Sequence, residues 1–123
     1  MTAVRVLLVE DNDMFRQTLE LIFGLRDDVE VVGAVSSGDD APDVCRALDP
    51  DVVLVDYRMP GLNGAEATRA VLEASPRARV VCLTASVTKE EEQEVLAAGA
   101  VACVTKDGDF NRLVSIVLEA AAL

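Results

Sequence analysis

The fold is decided by a short stretch in the middle of the chain, Val52-Val53-Leu54-Val55-Asp56, in which four apolar residues end on an acid. Runs of this kind, mostly β-branched, are typical of strands buried on both faces, as in a parallel sheet. Three more runs end in the same way: Val4 to Val9 before Glu10-Asp11, Val80 to Leu83 before Thr84, and Val101 to Thr105 before Lys106. Ligand sites of open α/β sheets lie just beyond the carboxyl ends of the strands. The sequence therefore predicts that three carboxylates, a hydroxyl and an ammonium group gather at one edge of a sheet.

Helical patterns occupy the segments between these strands, and a further strand is expected near Val29 to Val35. Ser37 is expected to cap a helix that runs to about Leu48, with Pro50 stopping it. Alternating strands and helices predict an α/β fold of (βα)5 type with helices on both faces of a parallel sheet. If the polar strand ends are to meet, the strand order is 2-1-3-4-5. We expect residues 1–123 to form one domain.

Capping signals mark the later helices. Asn63 and Thr88 each precede a glutamate by three residues, the capping-box spacing, at the start of two helices. The first is expected to reach Ala74, and the second to end at Gly99. A last helix is expected to start near Asp109.

Composition excludes several classes of function. The chain carries 22 acidic against 11 basic residues, a net charge of −11, and no histidine. A negative surface repels phosphate, so we expect no direct nucleic-acid binding by this domain. Without histidine, Ser-His-Asp hydrolysis, histidine-ligated metal sites and a phosphohistidine donor role are excluded. The three cysteines form no CxxC pair, and no apolar run is long enough for a membrane span. We therefore expect a cytoplasmic protein with reduced thiols and no membrane association.

The gathered residues point to phosphoryl chemistry. Three carboxylates close together need a cation to compensate their charge, and Mg²⁺ takes oxygen ligands. An aspartate can act as a covalent nucleophile and form an aspartyl phosphate. Asp56 suits this role because it is central and is followed by a loop, Tyr57 to Leu62. The Thr84 hydroxyl and the Lys106 ammonium would stabilise charge on the transferred group.

The same residues carry a resemblance to a known family. The chain resembles response-regulator receiver domains from end to end, in the acidic pair Glu10-Asp11, the loop Asp56-Tyr57-Arg58-Met59-Pro60-Gly61-Leu62-Asn63-Gly64, the pair Thr84-Ala85, and Lys106. The resemblance implies the flavodoxin-like fold of the CheY-like superfamily.

The resemblance also implies a role for each site residue. Asp11 would ligate Mg²⁺ directly and Glu10 mainly through water, with the Arg58 backbone carbonyl completing the protein ligands. Asp56 would be phosphoacceptor and metal ligand. Thr84 and Lys106 would hold the phosphoryl group and form the switch. The side chains of Tyr57 and Arg58 are expected on the loop surface.

Two positions depart from the commonest receiver pattern. Cys103 stands three residues before Lys106, where many receivers carry an aromatic switch residue, so coupling is expected to rest on Thr84 and the following loop. Asp107 stands where a proline with a cis bond is common, and we expect a trans bond here. The Lys106-Asp107 pair resembles receivers of LuxR/NarL-type transcriptional regulators. Those receivers usually precede a helix-turn-helix domain, which these 123 residues do not include.

The function expected from the resemblance is two-component signal transduction. A partner histidine kinase or phosphotransfer protein would phosphorylate Asp56, and the switch would involve the helix from Thr88 to Ala98 and control an effector. That effector is expected to be a DNA-binding transcriptional output domain. The acid-rich run Lys89 to Glu94 is interpreted as a solvated helix face, with a partner surface as the alternative. An exposed apolar patch on the last helix could serve homodimerisation on activation.

Two other interpretations remain open at this point. A haloacid-dehalogenase-type, Mg²⁺-dependent phosphohydrolase also combines an aspartyl nucleophile with a hydroxyl and a lysine. It usually needs a second aspartate two residues after the nucleophile, where this chain has Arg58, so beyond phosphorylating and dephosphorylating itself the chain is expected not to be an enzyme. A pseudo-receiver adaptor that acts without phosphorylation usually lacks one of the key residues, and none is missing here.

Overall fold

Strands and helices alternate along the whole described chain. A computed structural model describes residues 2–123. The strands are β1 (Val4–Val9), β2 (Val29–Val35), β3 (Val52–Asp56), β4 (Arg79–Thr84) and β5 (Ala102–Thr105). The helices are α1 (Asp13–Gly24), α2 (Ala41–Leu48), α3 (Gly64–Ala74), α4 (Lys89–Ala97) and α5 (Phe110–Ala121). The (βα)5 prediction is confirmed.

The five strands form one parallel sheet in the order β2-β1-β3-β4-β5, which confirms the predicted topology. The strand order switches sides between β1 and β3, since β2 is added on one side of β1 and β3 on the other; ligands of α/β sheets bind at such a switch point. Register brings the carboxyl ends level, with Asp56 opposite Leu83 and Thr84 opposite Thr105.

Two apolar layers cover the sheet. Alternate strand residues point to opposite faces, so Val53 and Val55 pack with α2, α3 and α4, while Val52 and Leu54 pack with α1 and α5. All five residues of β3 are buried. Full burial of a valine or leucine contributes on the order of 1.5–3 kcal/mol, so the central strand is a rigid base for its last residue, Asp56.

The start of α2 differs from the prediction. Its N-cap is Asp40, which makes no side-chain capping bond, and the Ser37 hydroxyl accepts from the Asp39 N–H at 3.1 Å instead. Pro42 in the first turn explains the difference, because proline has no N–H to cap and its φ is already helical. The helix ends at Leu48, as expected ahead of Pro50.

The other predicted helix starts are confirmed. Capping boxes join Asn63 to Glu66 at α3 and Thr88 to Glu91 at α4, and Asp109 caps α5. After α4 the chain turns at Gly99 with φ +117°, a conformation that favours glycine. Within residues 2–123, every helix is too short or too polar to cross a bilayer.

Candidate functional site

The ends of β1 and β3 bring three acids together. Glu10 and Asp11 follow β1, Asp56 ends β3, and Val9 pairs with Val55 just before them. One carboxylate oxygen of each acid lies within 4.8 Å of the others. Glu10 is 3% exposed and Asp56 is 6% exposed, whereas Asp11 is open to solvent. The predicted acidic cluster is therefore present, buried on one side and accessible on the other.

Lys106 bridges two of these acids. Its Nζ lies 2.6 Å from Glu10 Oε1 and 3.2 Å from Asp56 Oδ2. The Lys106 backbone N–H donates to the Thr84 carbonyl at 2.7 Å, which fixes the lysine at the end of β5. The ring of Phe15, in the first turn of α1, lies under the ammonium, with 4.6 Å between Nζ and the ring centroid. Removing the ammonium would leave two buried carboxylates uncompensated, which is costly.

Glu10 is held at both carboxylate oxygens. Its Oε2 accepts the Asn12 N–H at 3.1 Å, while Oε1 faces Lys106. Burial raises the pKa of Glu10 to about 7; the bonds from Lys106 and Asn12 oppose the rise, and the charge of Asp56 adds to it. Burial alone would lower the pKa of Lys106, but its bond to Glu10 and the charge of Asp56 outweigh burial, so that pKa is raised. The site holds more negative than positive charge.

Thr84 lies at the same edge, as predicted, and is 1% exposed. Its hydroxyl donates to the Ser86 carbonyl at 3.0 Å, so in this structure it ties the beginning of the β4–α4 loop rather than an acid.

The loop after Asp56 contains one surprise. Tyr57 is only 5% exposed, so its expected place on the surface is wrong. It is buried because α3 starts against it: the Gly64 N–H donates to the Tyr57 carbonyl at 2.7 Å, and a Cβ on Gly64 would lie 2.7 Å from Tyr57 Cα. Arg58 is exposed, as expected, but its guanidinium is engaged, 5.5 Å from the Tyr57 ring centroid and 2.8 Å from Glu91 Oε1.

An open depression of about 500 Å³ lies over this loop and reaches Asp11, the exposed acid of the cluster. It is lined by Asp11, Tyr57, Arg58, Met59, Pro60, Asn63 and Glu91. The donor atoms of the cluster are carboxylate oxygens, the ligands that Mg²⁺ prefers, and the carboxylate of Asp11 is exposed to solvent. These residues therefore fit a hard divalent cation.

Two positions that depart from the commonest receiver pattern, Cys103 and Asp107, lie in β5 and just after it. Cys103 is half-buried and lies opposite Cys82 in β4, and both thiols are free, as is Cys45. Peptide bonds throughout residues 2–123 are trans, including the bond between Lys106 and Asp107. The trans expectation is confirmed.

Sequence reasoning missed two contacts of the site. Nothing local in the sequence connects Phe15 to Lys106. Glu91 was recognised as a capping residue, but its ion pair spans 33 residues to Arg58. Charge complementarity was the only available signal, and many acids in this chain satisfy it equally well.

Comparison with known proteins agrees with this geometry. Residues 6–118 match the family described as response regulator receiver domain. Response regulator GacA of Pseudomonas viridiflava is 36% identical over 114 residues, covering 93% of this chain and 53% of the relative. The nitrate/nitrite response regulator NarL of Escherichia coli K12 is 32% identical over 117 residues, covering 95% and 54%. The chain thus spans about half the length of these relatives.

A solved structure shows the same fold over the full length. The receiver domain of the putative response regulator NarL from Mycobacterium tuberculosis superposes with a TM-score of 0.94 at 33% identity, covering 99% of this chain and 98% of that one. The match lies with receivers rather than with haloacid-dehalogenase-type phosphohydrolases. Receiver domains bind Mg²⁺ at an acidic pocket, and the cluster beside Asp56 is a pocket of that kind. Fold, acidic pocket and family match agree that the chain belongs to the response regulator receiver domains of two-component systems and is homologous to LuxR/NarL-type regulators.

Proposed function

We propose that Asp56 accepts a phosphoryl group and that this modification switches the domain. The observation that carries the proposal is the position of its carboxylate. Asp56 ends the most buried strand, is 6% exposed, and lies within hydrogen-bond distance of a lysine and close to two further acids. A structural aspartate gains nothing from two like-charged neighbours, whereas a phosphoacceptor needs the cation that they would bind.

The proposed transfer is a substitution at phosphorus. An oxygen of the Asp56 carboxylate forms the new bond to phosphorus, and the bond from phosphorus to the donor's leaving atom breaks, with its electron pair going to that atom. The donor is a phosphohistidine on a partner histidine kinase or phosphotransfer protein, or a small acyl phosphate. Lys106, already 3.2 Å from Asp56, pairs with the new phosphoryl oxygens, and the Thr84 hydroxyl turns from Ser86 towards them.

Mg²⁺ is the cofactor of this proposal. Asp11, Asp56 and the Arg58 backbone carbonyl would hold it directly, and Glu10 mainly through water. When bound, the ion supplies positive charge beside the acids and the phosphoryl oxygens. Glu10 remains the partner of Lys106 at 2.6 Å, which keeps the ammonium directed into the site.

The relatives support a proposal about the wider setting. Residues 1–123 serve as one receiver domain of a cytoplasmic regulator, and the output is a DNA-binding transcriptional domain. The domain itself carries a net charge of −11 and makes no direct contact with nucleic acid. The domain also forms a homodimer when it is activated, and light scattering would measure this change in mass.

Intact-mass spectrometry tests the phosphoacceptor. Incubation with acetyl phosphate and Mg²⁺ is expected to add one acid-labile phosphoryl group to the wild type and none to Asp56→Asn, which keeps the shape of the side chain. Asp51→Asn, an exposed acid at the other end of β3, is the matched control and should label fully. Labelling of Asp56→Asn would show that the nucleophile lies elsewhere. Absence of labelling in all three proteins, also with a phosphohistidine donor, would favour a pseudo-receiver.

Calorimetry tests the metal site. Glu10 has a pKa of about 7 in the metal-free protein, so Mg²⁺ binding should release a proton below that pH and become tighter from pH 6 to pH 8. Asp11→Ala should weaken binding about tenfold or more, while Asp27→Ala, an exposed acid far from the site in sequence, should not. Equal affinity of wild type and Asp11→Ala would remove Asp11 from the ligand set.

A further inference from the structure

Arg58 connects the loop that follows Asp56 to a helix 33 residues further along the chain. Its Nη2 donates to Glu91 Oε1 at 2.8 Å. The Arg58 side chain is 57% exposed and the Glu91 side chain 22% exposed, so the pair lies at the surface with its glutamate end partly buried. The guanidinium carbon also lies 5.5 Å from the centroid of the Tyr57 ring, within the range of a cation–π contact.

The glutamate that Arg58 holds is also the residue that caps α4. Glu91 Oε1 accepts the Thr88 N–H at 2.9 Å, and the Glu91 N–H donates to the Thr88 hydroxyl at 3.1 Å. Glu91 Oε1 therefore accepts hydrogen bonds from both the Arg58 guanidinium and the Thr88 N–H. In the equivalent box of α3, Glu66 accepts from the Asn63 N–H at 3.0 Å, and no ion pair of the described residues includes it.

Few other contacts hold this end of α4. Val95 is its single buried residue, near the far end of the helix. The loop before the helix, from Ala85 to Thr88, is tied at its beginning by the Thr84 hydroxyl on Ser86 and at its end by Arg58 through Glu91. Both ties start from the edge of the sheet where Asp56 lies.

We propose that Arg58 is a positioning residue that couples the loop bearing Asp56 to the N-terminus of α4 through its ion pair with Glu91. Occupancy of the acidic site changes the path of the loop at Arg58, and the guanidinium transmits that change to the capping box. Cys103 stands where many receivers carry an aromatic switch residue, and its half-buried thiol has no ring that could transmit this change. The inference rests on the proposed function, because it requires the site to be occupied in the signalling state.

Amide hydrogen exchange tests the coupling, with Mg²⁺ and beryllofluoride as the probe and Glu91→Gln as the variant. Glutamine suits the third position of a capping box, so the helix start is retained while the charge is lost. In the wild type the probe is expected to change exchange over residues 89–92 about threefold. In Glu91→Gln the change in exchange should be less than half of the wild-type change. Glu90→Gln removes the same charge from an exposed neighbour and should respond like the wild type.

A second variant tests the pair from its other side. Arg58→Met keeps the backbone carbonyl and an unbranched side chain beside Tyr57 but removes the charge. The α4 response to Mg²⁺ and beryllofluoride should fall in Arg58→Met as it does in Glu91→Gln, although Glu91 and its cap are unchanged. The double variant should lose no more of the α4 response than either single one. A full response in Arg58→Met, or additive losses, would overturn the coupling.

The outcomes separate this inference from the proposed function. Tyr57 is the single tyrosine and the chain has no tryptophan, so its fluorescence reports binding at the site. If the wild-type fluorescence does not respond to Mg²⁺ and beryllofluoride, the proposed function fails and the inference with it. If it responds and Glu91→Gln shows the full wild-type change in α4, only the coupling is wrong.

Discussion

Helices α3 and α4 begin in the same way and are held in different ways. Each starts with a complete capping box, Asn63 with Glu66 in one and Thr88 with Glu91 in the other. α3 buries five residues, four of them in its first turn and a half, whereas α4 buries Val95 alone. Capping decides where a helix starts, and burial decides how firmly the helix belongs to the core.

Because they differ in burial, the two helices are suited to different roles. α3 rests on Tyr57 and keeps the loop after Asp56 in place. α4 exposes most of its acid-rich first turns, as predicted for Lys89 to Glu94, with Glu91 drawn inward by Arg58. Elements with few buried apolar contacts open at low free-energy cost and are the ones that move in switches. The contrast can be tested by removing equivalent features from the two helices.

The largest difference between the two helices is expected at their first residues. A Cβ at Gly64 would lie 2.7 Å from Tyr57 Cα and 3.3 Å from the Asp56 carbonyl, so Gly64→Ala should lower the free energy of unfolding by roughly 2 kcal/mol. The equivalent Lys89→Ala in α4 is exposed and should change it by less than about 0.5 kcal/mol. Urea unfolding followed by circular dichroism measures both. Similar losses in the two variants would contradict the difference in anchoring.

An intermediate effect is expected at the caps. Asn63→Ala should lower the global free energy of unfolding by about 1 kcal/mol, the usual cost of a lost cap. Thr88→Ala removes an equivalent bond, but α4 can fray alone, so the loss should appear chiefly as about fivefold faster amide exchange over residues 89–92. The same urea and exchange measurements decide this. If Thr88→Ala lowers global stability as much as Asn63→Ala does, α4 is part of the cooperative core.

The smallest effect is the response to an occupied site. With Mg²⁺ and beryllofluoride, exchange in α4 should change about threefold, or about 0.6 kcal/mol, while α3 changes less than about twofold. Thr84→Ala should bind the probe yet reduce the α4 response, because alanine has no hydroxyl to donate to the Ser86 carbonyl or to move towards the bound group. Thr105→Ala, the register partner of Thr84 on β5, is the control and should respond fully. Equal responses in both variants would remove Thr84 from the switch.

Much of the fold could be predicted from the sequence. Apolar runs encode burial along a strand, and capping residues act within one turn, so the strands, the box at Asn63 and the box at Thr88 followed from local patterns. The strand order followed from requiring that the polar strand ends converge. The acids, Thr84 and Lys106 were all placed at the correct edge because each directly follows or ends a strand.

Other features depended on the tertiary structure. Ser37 failed as a cap because Pro42 already supplies the helical start, and Tyr57 is buried because α3 begins against it.

Local sequence patterns describe a single element, whereas contacts between distant side chains depend on how loops and helices pack over the sheet. That is why the sequence by itself determined the (βα)5 fold and the edge where the polar residues gather. The tertiary structure alone decided that Lys106 bridges Glu10 and Asp56, and that Arg58 reaches the cap of α4.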